Sequence, residues 1–469
     1  MITQRQTAPK ASDDEARYLA ASEIVALAQR RGSRELWVND VGSVTWAEFG
    51  IVVEAARHEC AGHRIKPGSV VEVVAEERLS FLAWVFAAAA AGAVVAPLRR
   101  ADAATSPLRN FVFVDWRVSD GRLQPVRAGT TTPASERLLG LLRTRRHPGL
   151  ILATGGTTGT PKLLLHDLSL LLSNVRVRDT NMRRILPLMR FDHIGGLDMA
   201  WRALGAAHVL VAPPPEITPA LVAATIQRHR VNVLPATPSF LNLLLLSEAH
   251  KTNDLSTLAV VPYGAEPMPA ALLKRLRIAF PNVEFVQRFG TSETGALPVR
   301  ESPTGLFLDR ERKDFSWKVV EGELWIKSPS RALGYLSGDP GGFDTAGWFK
   351  TGDQADVHPD GSVQIQGRRS ELINVGGEKV LPEEVESALT GHPMVGDCRV
   401  GPSTNAVLGQ VVAAEVVWLG PEQDALEVKR ILVEFAWGLL ARHKLPTVVR
   451  LVKSIDWTST LKKSRRVPL

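Results

Sequence analysis

The chain has 469 residues, 45% of them hydrophobic and 22% charged, which is too long for one simple core and predicts two or more domains. Its net charge of +7 suggests nucleic acid, but the basic residues are dispersed until the last stretch and no basic repeat is interleaved with aromatics, so no base-stacking surface is expected. Cys60 and Cys398 are the only cysteines and lie far apart, which argues against a disulfide framework or a cysteine metal site and fits a reducing cytoplasm.

Residues 1–18 are polar and lack the apolar core of a signal peptide. Residues 12–32 predict an amphipathic helix, followed by a strand at 36–39 and a turn at 40–43. Thr45 and Glu48 have capping-box spacing and predict a helix ending near Gly62. Pro67-Gly68 then turns into a strand at 69–75. The one long uncharged run, 81–98, is Ala-rich, broken by Gly92 and ended by Pro97, so it reads as a buried helix running into a buried strand, with no membrane span expected. Alternation of this kind predicts an α/β architecture. Residues 100–147 have weak periodicity and suggest no role.

Residues 152–162 read LATGGTTGTPK, an apolar strand entering a loop rich in glycine and threonine. Glycines let successive backbone N–H groups converge on an oxyanion, threonines add hydroxyl donors, and Lys162 supplies a point charge for a phosphate. The spacing is not that of a Walker A loop, and no helix follows as in a dinucleotide fingerprint. Farther on, residues 186–196 read LPLMRFDHIGG, and 221–229, 231–234 and 238–245 read as helix, strand and helix, with Pro238 in the intervening turn at a strand's carboxyl end, where open α/β sheets place ligands. Strand 260–263 ends in a turn, YGAEP; the segments QRFGTSETG (287–295), EGELWI (321–326), GWFKTGD (347–353), GRRSELINVGGEKVLPEEVE (367–386) and TSTLKKSRR (458–466) complete the set. From 381 to 452 helix and strand alternate.

In this order, these segments resemble the motifs of the adenylate-forming superfamily, the acyl-CoA synthetases, adenylation domains and luciferases. The loop at 152–162 is similar to the family's phosphate loop, usually S/T-SGTTGxPKG, with Gly155 where serine is common and Leu163 where glycine is usual. The resemblance implies a large multi-layer α/β N-terminal domain, residues 1–369, and a small mobile α+β C-terminal domain, residues 370–469, joined at a hinge, Ser370, where the family usually has Asp or Lys. It implies nucleotide binding by Thr154, Gly155, Gly156, Thr157, Thr158, Gly159 and Lys162, by Gly264, Ala265 and Glu266 along the adenine, and by Phe289, Gly290, Thr291 and Ser292. Glu293 would hold Mg²⁺ through a hard oxygen, Asp353 would accept from both ribose hydroxyls, and Arg368 would reach the ribose or a phosphate. The acyl pocket would involve Asp192, His193, Pro238 and Tyr263, with His193 gating the carboxylate. Asp192 would either hold a substrate ammonium group or point away into donors of its own. Gly376 and Gly377 would present the active site to a thiol.

In the tail, similar to the family's TxxGKxxR, Leu461 takes the place of glycine and Lys463 makes the register ambiguous by one; counting from Thr458 and from Arg465 both selects Lys462 as the catalytic lysine. The implied reaction is attack of a carboxylate on the α-phosphate of ATP, giving acyl-AMP and pyrophosphate, then thioester formation with CoA. The alternatives are a stand-alone adenylation enzyme that loads an aryl, acyl or amino acid onto a carrier protein or an amine, and a non-catalytic ligand-binding relative. Oligomeric state is left open.

Overall fold

The computed structural model describes residues 17–74, 78–102, 106–154, 162–297, 299–301, 306–308, 315–337, 342–458 and 461–464. Two sheets and the helices between them form its largest core. One sheet orders the strands Gly334–Tyr335, Lys162–Asp167, Gly149–Thr154, Val94–Leu98, Val70–Val74, Val114–Ser119 and Arg122–Ala128. Its four middle strands are parallel, and strand Lys162–Asp167 returns antiparallel to Gly149–Thr154. The second sheet pairs Glu35–Val38 in parallel with Val209–Val211, which pairs with Arg184–Ile185. Single bridges through Val233 extend it to Val260, whose strand, Val260–Tyr263, pairs in parallel with Glu284–Gln287.

The helix Trp46–Gly62 starts where its capping box demands: Thr45 N donates to Glu48 Oε2 at 2.7 Å, and Glu48 N to Thr45 Oγ1 at 3.2 Å. Such a cap contributes on the order of 1 kcal/mol. The next helix, Arg78–Ala90, is buried from Phe81 through Ala89. Its surroundings are side chains of both sheets, among them Leu36 and Trp37 from one and Val71, Val95 and Leu152 from the other. The long uncharged run is therefore an all-round buried core helix, and among the described residues no helix is long and apolar enough to cross a membrane.

A six-stranded antiparallel sheet follows, ordered Val299–Glu301, Leu306–Leu308, Val363–Arg368, Phe349–Val357, Glu323–Lys327 and Ser316–Val320. The last sheet has its own core, from Ile373 to Val449. Its two long strands, Val395–Asn405 and Gly409–Trp418, form a hairpin flanked by helices Pro382–Leu389 and Ala425–Ala436, with Val448–Leu451 parallel to the second strand. The architecture is α/β with a large N-terminal part and a small α+β C-terminal part.

Several elements depart from the sequence reading. The first helix is shorter: a 3₁₀ turn at Ala21–Glu23 leads into Ile24–Arg31, and residues 12–16 lie outside the described set. Residues 231–234 make only single bridges rather than a strand. The C-terminal part does not alternate strictly, because two strands follow one another in the hairpin. Residues 100–147 hold a hairpin and a capped helix, Pro133–Arg145, and they complete the first sheet. Within that sheet Glu72 is fully buried, with Arg117 at 2.6 Å and Arg109 at 3.3 Å.

Candidate active site

One continuous cleft gathers Thr154, Lys162, His193, Pro238, Tyr263, Gly264, Ala265, Glu266, Phe289, Gly290, Thr291, Ser292, Glu293, Asp353, Arg368, Ser370 and Lys462. These residues come from the first sheet, the ends of the second sheet, the N-cap of helix Ile194–Gly205, the hairpin Gly290–Ala296, the six-stranded sheet with the turn after it, and the tail. The loop residues Gly155, Gly156, Thr157, Thr158 and Gly159 lie outside the described set. Their two flanks, Thr154 and Lys162, are cross-strand partners at the rim.

Close backbone approach explains two glycines. A Cβ at Gly264 would stand 2.5 Å from the Arg288 carbonyl oxygen, and one at Gly290 would stand 2.5 Å from that of Gly295. The second contact lets Gly290–Thr291 pair with Gly295–Ala296. Inside that tight hairpin the Thr291 and Thr294 side chains bind one another at 3.1 Å, and Thr294 N donates to Thr291 Oγ1 at 3.2 Å. The hairpin holds Ser292 and Glu293 at its tip, where the Tyr335 hydroxyl donates to Glu293 Oε1 at 2.8 Å. Beneath it, burial pushes the His166 imidazole down to about 4 against the opposing influence of the Ser292 and Ser330 backbone, so the ring is neutral. The sequence reading missed Tyr335 and His166, for which no local signal exists; Tyr335 lies 42 residues from its partner.

Asp353 and Arg368 face each other across adjacent strands, Phe349–Val357 and Val363–Arg368. Arg368 Nε lies 2.9 Å from Asp353 Oδ1, and its Nη1 donates to the Thr351 carbonyl at 2.6 Å. Asp353 is 4% exposed, and its Oδ2 is buried with no hydrogen-bond partner among the described residues. Burial pushes its carboxyl up to about 6, although Arg368 and the Thr351 hydroxyl pull the other way. An unpartnered buried oxygen at a cleft wall is costly, and a ligand donor would relieve it.

The two tail lysines have different surroundings. Lys462 lines the cleft, where burial lowers the pKa of its ammonium group while Glu266 and Asp353 oppose that effect. Lys463 lines the same cleft but is held by carboxylates: its Nζ lies 2.8 Å from Asp397 Oδ1, donates to the Cys398 carbonyl at 2.5 Å and approaches Glu386 at 3.9 Å. Burial alone would lower its pKa, but Glu386 and Asp397 outweigh burial and hold it above the ordinary lysine value. Glu266, expected along the adenine, has both carboxylate oxygens engaged: one accepts from Ser239 N at 3.3 Å, the other from Lys463 N at 3.0 Å.

His193 precedes the helix Ile194–Gly205 at its N-cap. Burial lowers its pKa, partly offset by Asp192 at 3.8 Å, so the ring that faces the cleft is neutral at pH 7. Asp192 itself is not among the described residues that line the cleft. Arg190 takes it in a bidentate pair, Nε to Oδ1 and Nη2 to Oδ2, each 3.0 Å. Gly376 and Gly377, with φ of 59° and 102°, lie in an exposed turn that does not line the cleft, where Gly377 N donates to Asn374 Oδ1 at 3.1 Å. Ser370 sits in a 3₁₀ turn, Arg369–Glu371, between the six-stranded sheet and the last sheet.

Comparison with known proteins places the chain among relatives. A family model described as an AMP-binding enzyme matches residues 142–336, and one described as an AMP-binding enzyme C-terminal domain matches residues 384–462. A 4-coumarate–CoA ligase-like protein of Arabidopsis thaliana is 28% identical over 300 residues, 57% of this chain; the match spans about half, 52%, of that relative's length. The fold is similar to that of the anthranilate CoA ligase AuaEII in complex with anthranoyl-AMP, with a TM-score of 0.76, 18% identity and 96% of each chain covered. It is also similar to that of the amide bond synthetase McbA from Marinactinospora thermotolerans, with a TM-score of 0.70, 21% identity, and 94% of this chain and 97% of that one covered. With both family segments matched in sequence order and the fold shared along nearly the whole chain, the protein belongs to the AMP-binding, adenylate-forming enzyme family.

Proposed function

We propose that this protein is an ATP-dependent, AMP-forming carboxylic acid ligase that makes an acyl- or aryl-adenylate and passes the acyl group to the thiol of CoA. The observation that carries the reading is Asp353: a buried carboxylate, paired on one oxygen with Arg368 and lacking a partner on the other, in the same cleft as Lys462 and Glu293. A ribose diol supplies the donors that Asp353 lacks.

In this reading the carboxylate enters past His193, whose neutral ring adds no charge that would trap the anion. Attack on the α-phosphorus forms one carboxyl-oxygen-to-phosphorus bond and breaks the α–β bridge, releasing pyrophosphate. Two anions meet, so cationic charge must accumulate where they do. Lys462 donates to the carboxylate and the α-phosphate, and Lys162 with its loop takes the distal phosphates. One such transition-state contact is typically worth about 3–4 kcal/mol. Among the described residues no cluster of His, Cys, Asp and Glu forms an all-protein metal cage. Mg²⁺ would therefore rest on Glu293 and phosphate oxygens, the coordination it favours, and when bound it withdraws charge from the phosphates.

The division into residues 1–369 and 370–469, with Ser370 as the hinge, belongs to the same proposal. With Lys462 in the cleft, the Gly376–Gly377 turn stands outside it. Thiol transfer therefore calls for rotation about residues 369–371 that withdraws the lysine and brings the turn in. The acid is a non-amino acid, aryl or medium-chain, because Arg190 occupies both oxygens of the carboxylate that would otherwise hold an ammonium group. The test is pyrophosphate exchange with benzoic, cinnamic and octanoic acids beside α- and β-amino acids, then transfer with CoA as acceptor. Acid-dependent exchange followed by acyl-CoA supports the proposal; transfer only to a carrier protein or an amine would reassign the acceptor, and no exchange with any acid would refute the reading.

A further inference from the structure

We propose that Leu461 is a positioning residue: an apolar anchor that docks the tail onto the N-terminal core and so presents Lys462 to the cleft. This inference rests on the role of Lys462 above. Leu461 has φ of +60°, a backbone conformation that disfavours an L side chain and that glycine adopts freely. Turn geometry alone would select glycine there. The leucine side chain does what glycine could not: it packs against the cluster that contains Ala236, Phe240 and Tyr263. Among the described residues it is the one contributor to that cluster from beyond residue 285.

The neighbouring backbone is clasped on both sides. Thr237 Oγ1, which accepts from Phe240 N as the cap of helix Pro238–Leu246, donates to the Leu461 carbonyl at 2.5 Å. Two residues on, Lys463 N donates to Glu266 at 3.0 Å, while Glu266 also holds Ser239 N. Three successive side chains thus have three settings: Leu461 the N-terminal core, Lys462 the part of the cleft within reach of Glu266, Arg368 and Asp353, and Lys463 the carboxylates Asp397 and Glu386 in the same cleft. Lys462 is fixed from both sides, and its entry into the cleft depends on how firmly Leu461 seats. Removing the anchor should free the tail without disturbing the C-terminal core, to which Leu461 does not contribute.

The experiment compares Leu461→Gly and Leu461→Met in the full chain. Leu461→Gly relieves the backbone strain yet loses the apolar contact, whereas Leu461→Met keeps both. For Leu461→Gly, the rate of pyrophosphate exchange at saturating substrates should fall about tenfold, while thioester formation from supplied acyl-AMP and the thermal midpoint stay at wild-type values. Leu461→Met should restore exchange. Limited trypsin cleavage after Lys462 and Lys463, which requires the tail to leave its seat, should be faster in Leu461→Gly than in wild type and reads docking without reference to catalysis. Wild-type exchange and wild-type cleavage in Leu461→Gly would overturn the proposal, as would an equal fall in both half-reactions together with a lower thermal midpoint. If Lys462→Ala retains exchange, the lysine's role fails instead, and trypsin cleavage still decides the anchor.

Discussion

Asp353→Asn should separate binding from stability at one atom. The wild-type carboxyl titrates at about 6 in the folded protein against 3.8 unfolded, because burial disfavours its charge more than Arg368 and Thr351 favour it. The folded state therefore holds this proton more tightly than the unfolded chain. Stability from this group is full below pH 3.8 and is lost as pH rises to about 6. At 1.36 kcal/mol per pH unit, the ionised carboxylate costs about 3 kcal/mol above that window. Asparagine has the same shape and no charge, so the variant should unfold at a higher temperature than wild type at pH 8 and at the same temperature at pH 4. Nucleotide binding should move the opposite way. Hydrogen bonds from ribose hydroxyls to an ionised acceptor are worth about 1.5–3 kcal/mol, so ATP affinity should fall roughly 10- to 150-fold at pH 8. Because ATP prefers the ionised carboxyl, wild-type affinity should also tighten as pH rises through about 6, and Asp353→Asn should lose that inflection. Thermal unfolding and ATP titration at pH 4, 6 and 8 provide the readouts. A variant less stable than wild type at pH 8, or one with undiminished ATP affinity, would refute the placement of the ribose.

Lys462→Ala should abolish acyl-adenylate formation and largely spare thioester formation from supplied acyl-AMP, measured as separate half-reactions; equal loss in both would contradict the two-conformation mechanism. Lys463→Ala removes the ammonium that lies 2.8 Å from the buried Asp397 carboxylate, and should cost about 3 kcal/mol in thermal or denaturant unfolding; wild-type stability would show that the pair contributes nothing. Asp192→Ala should leave the ranking of acids in pyrophosphate exchange unchanged, since Arg190 and not substrate holds that carboxylate; strong exchange with an amino acid that vanishes in the variant would reverse this assignment. Gly290→Ala should cripple exchange without unfolding the chain, because its Cβ would collide with the Gly295 carbonyl and push the Ser292–Glu293 tip out of place; wild-type exchange in a folded variant would show that the hairpin is not needed for chemistry.

What the sequence revealed was local. Thr45 and Glu48 lie three residues apart, and their reciprocal hydrogen bonds follow from helix geometry alone. The segments that meet in the cleft could be read because each carries its distinctive residues within a few consecutive positions. Contacts set by tertiary packing could not. Nothing near Glu293 announces Tyr335, and nothing in TSTLKKSRR says that Lys463 is spent on Asp397. Even at short range orientation escaped: Arg190 stands two residues from Asp192, yet only the packed loop decides that its guanidinium fills both carboxylate oxygens. Glu266 was read as a nucleotide residue, and the fold engages both its oxygens with backbone N–H groups, one of them from the tail.

The proposed bond-making step is most directly tested with a carboxylic acid labelled with ¹⁸O in both carboxyl oxygens. The acid should be one that supports exchange, incubated with the full-length chain, ATP, Mg²⁺ and CoA. If the carboxylate attacks the α-phosphorus and CoA then displaces AMP, mass spectrometry should find one ¹⁸O in AMP and none in pyrophosphate. Label in pyrophosphate or inorganic phosphate, or unlabelled AMP formed alongside thioester, would contradict the account.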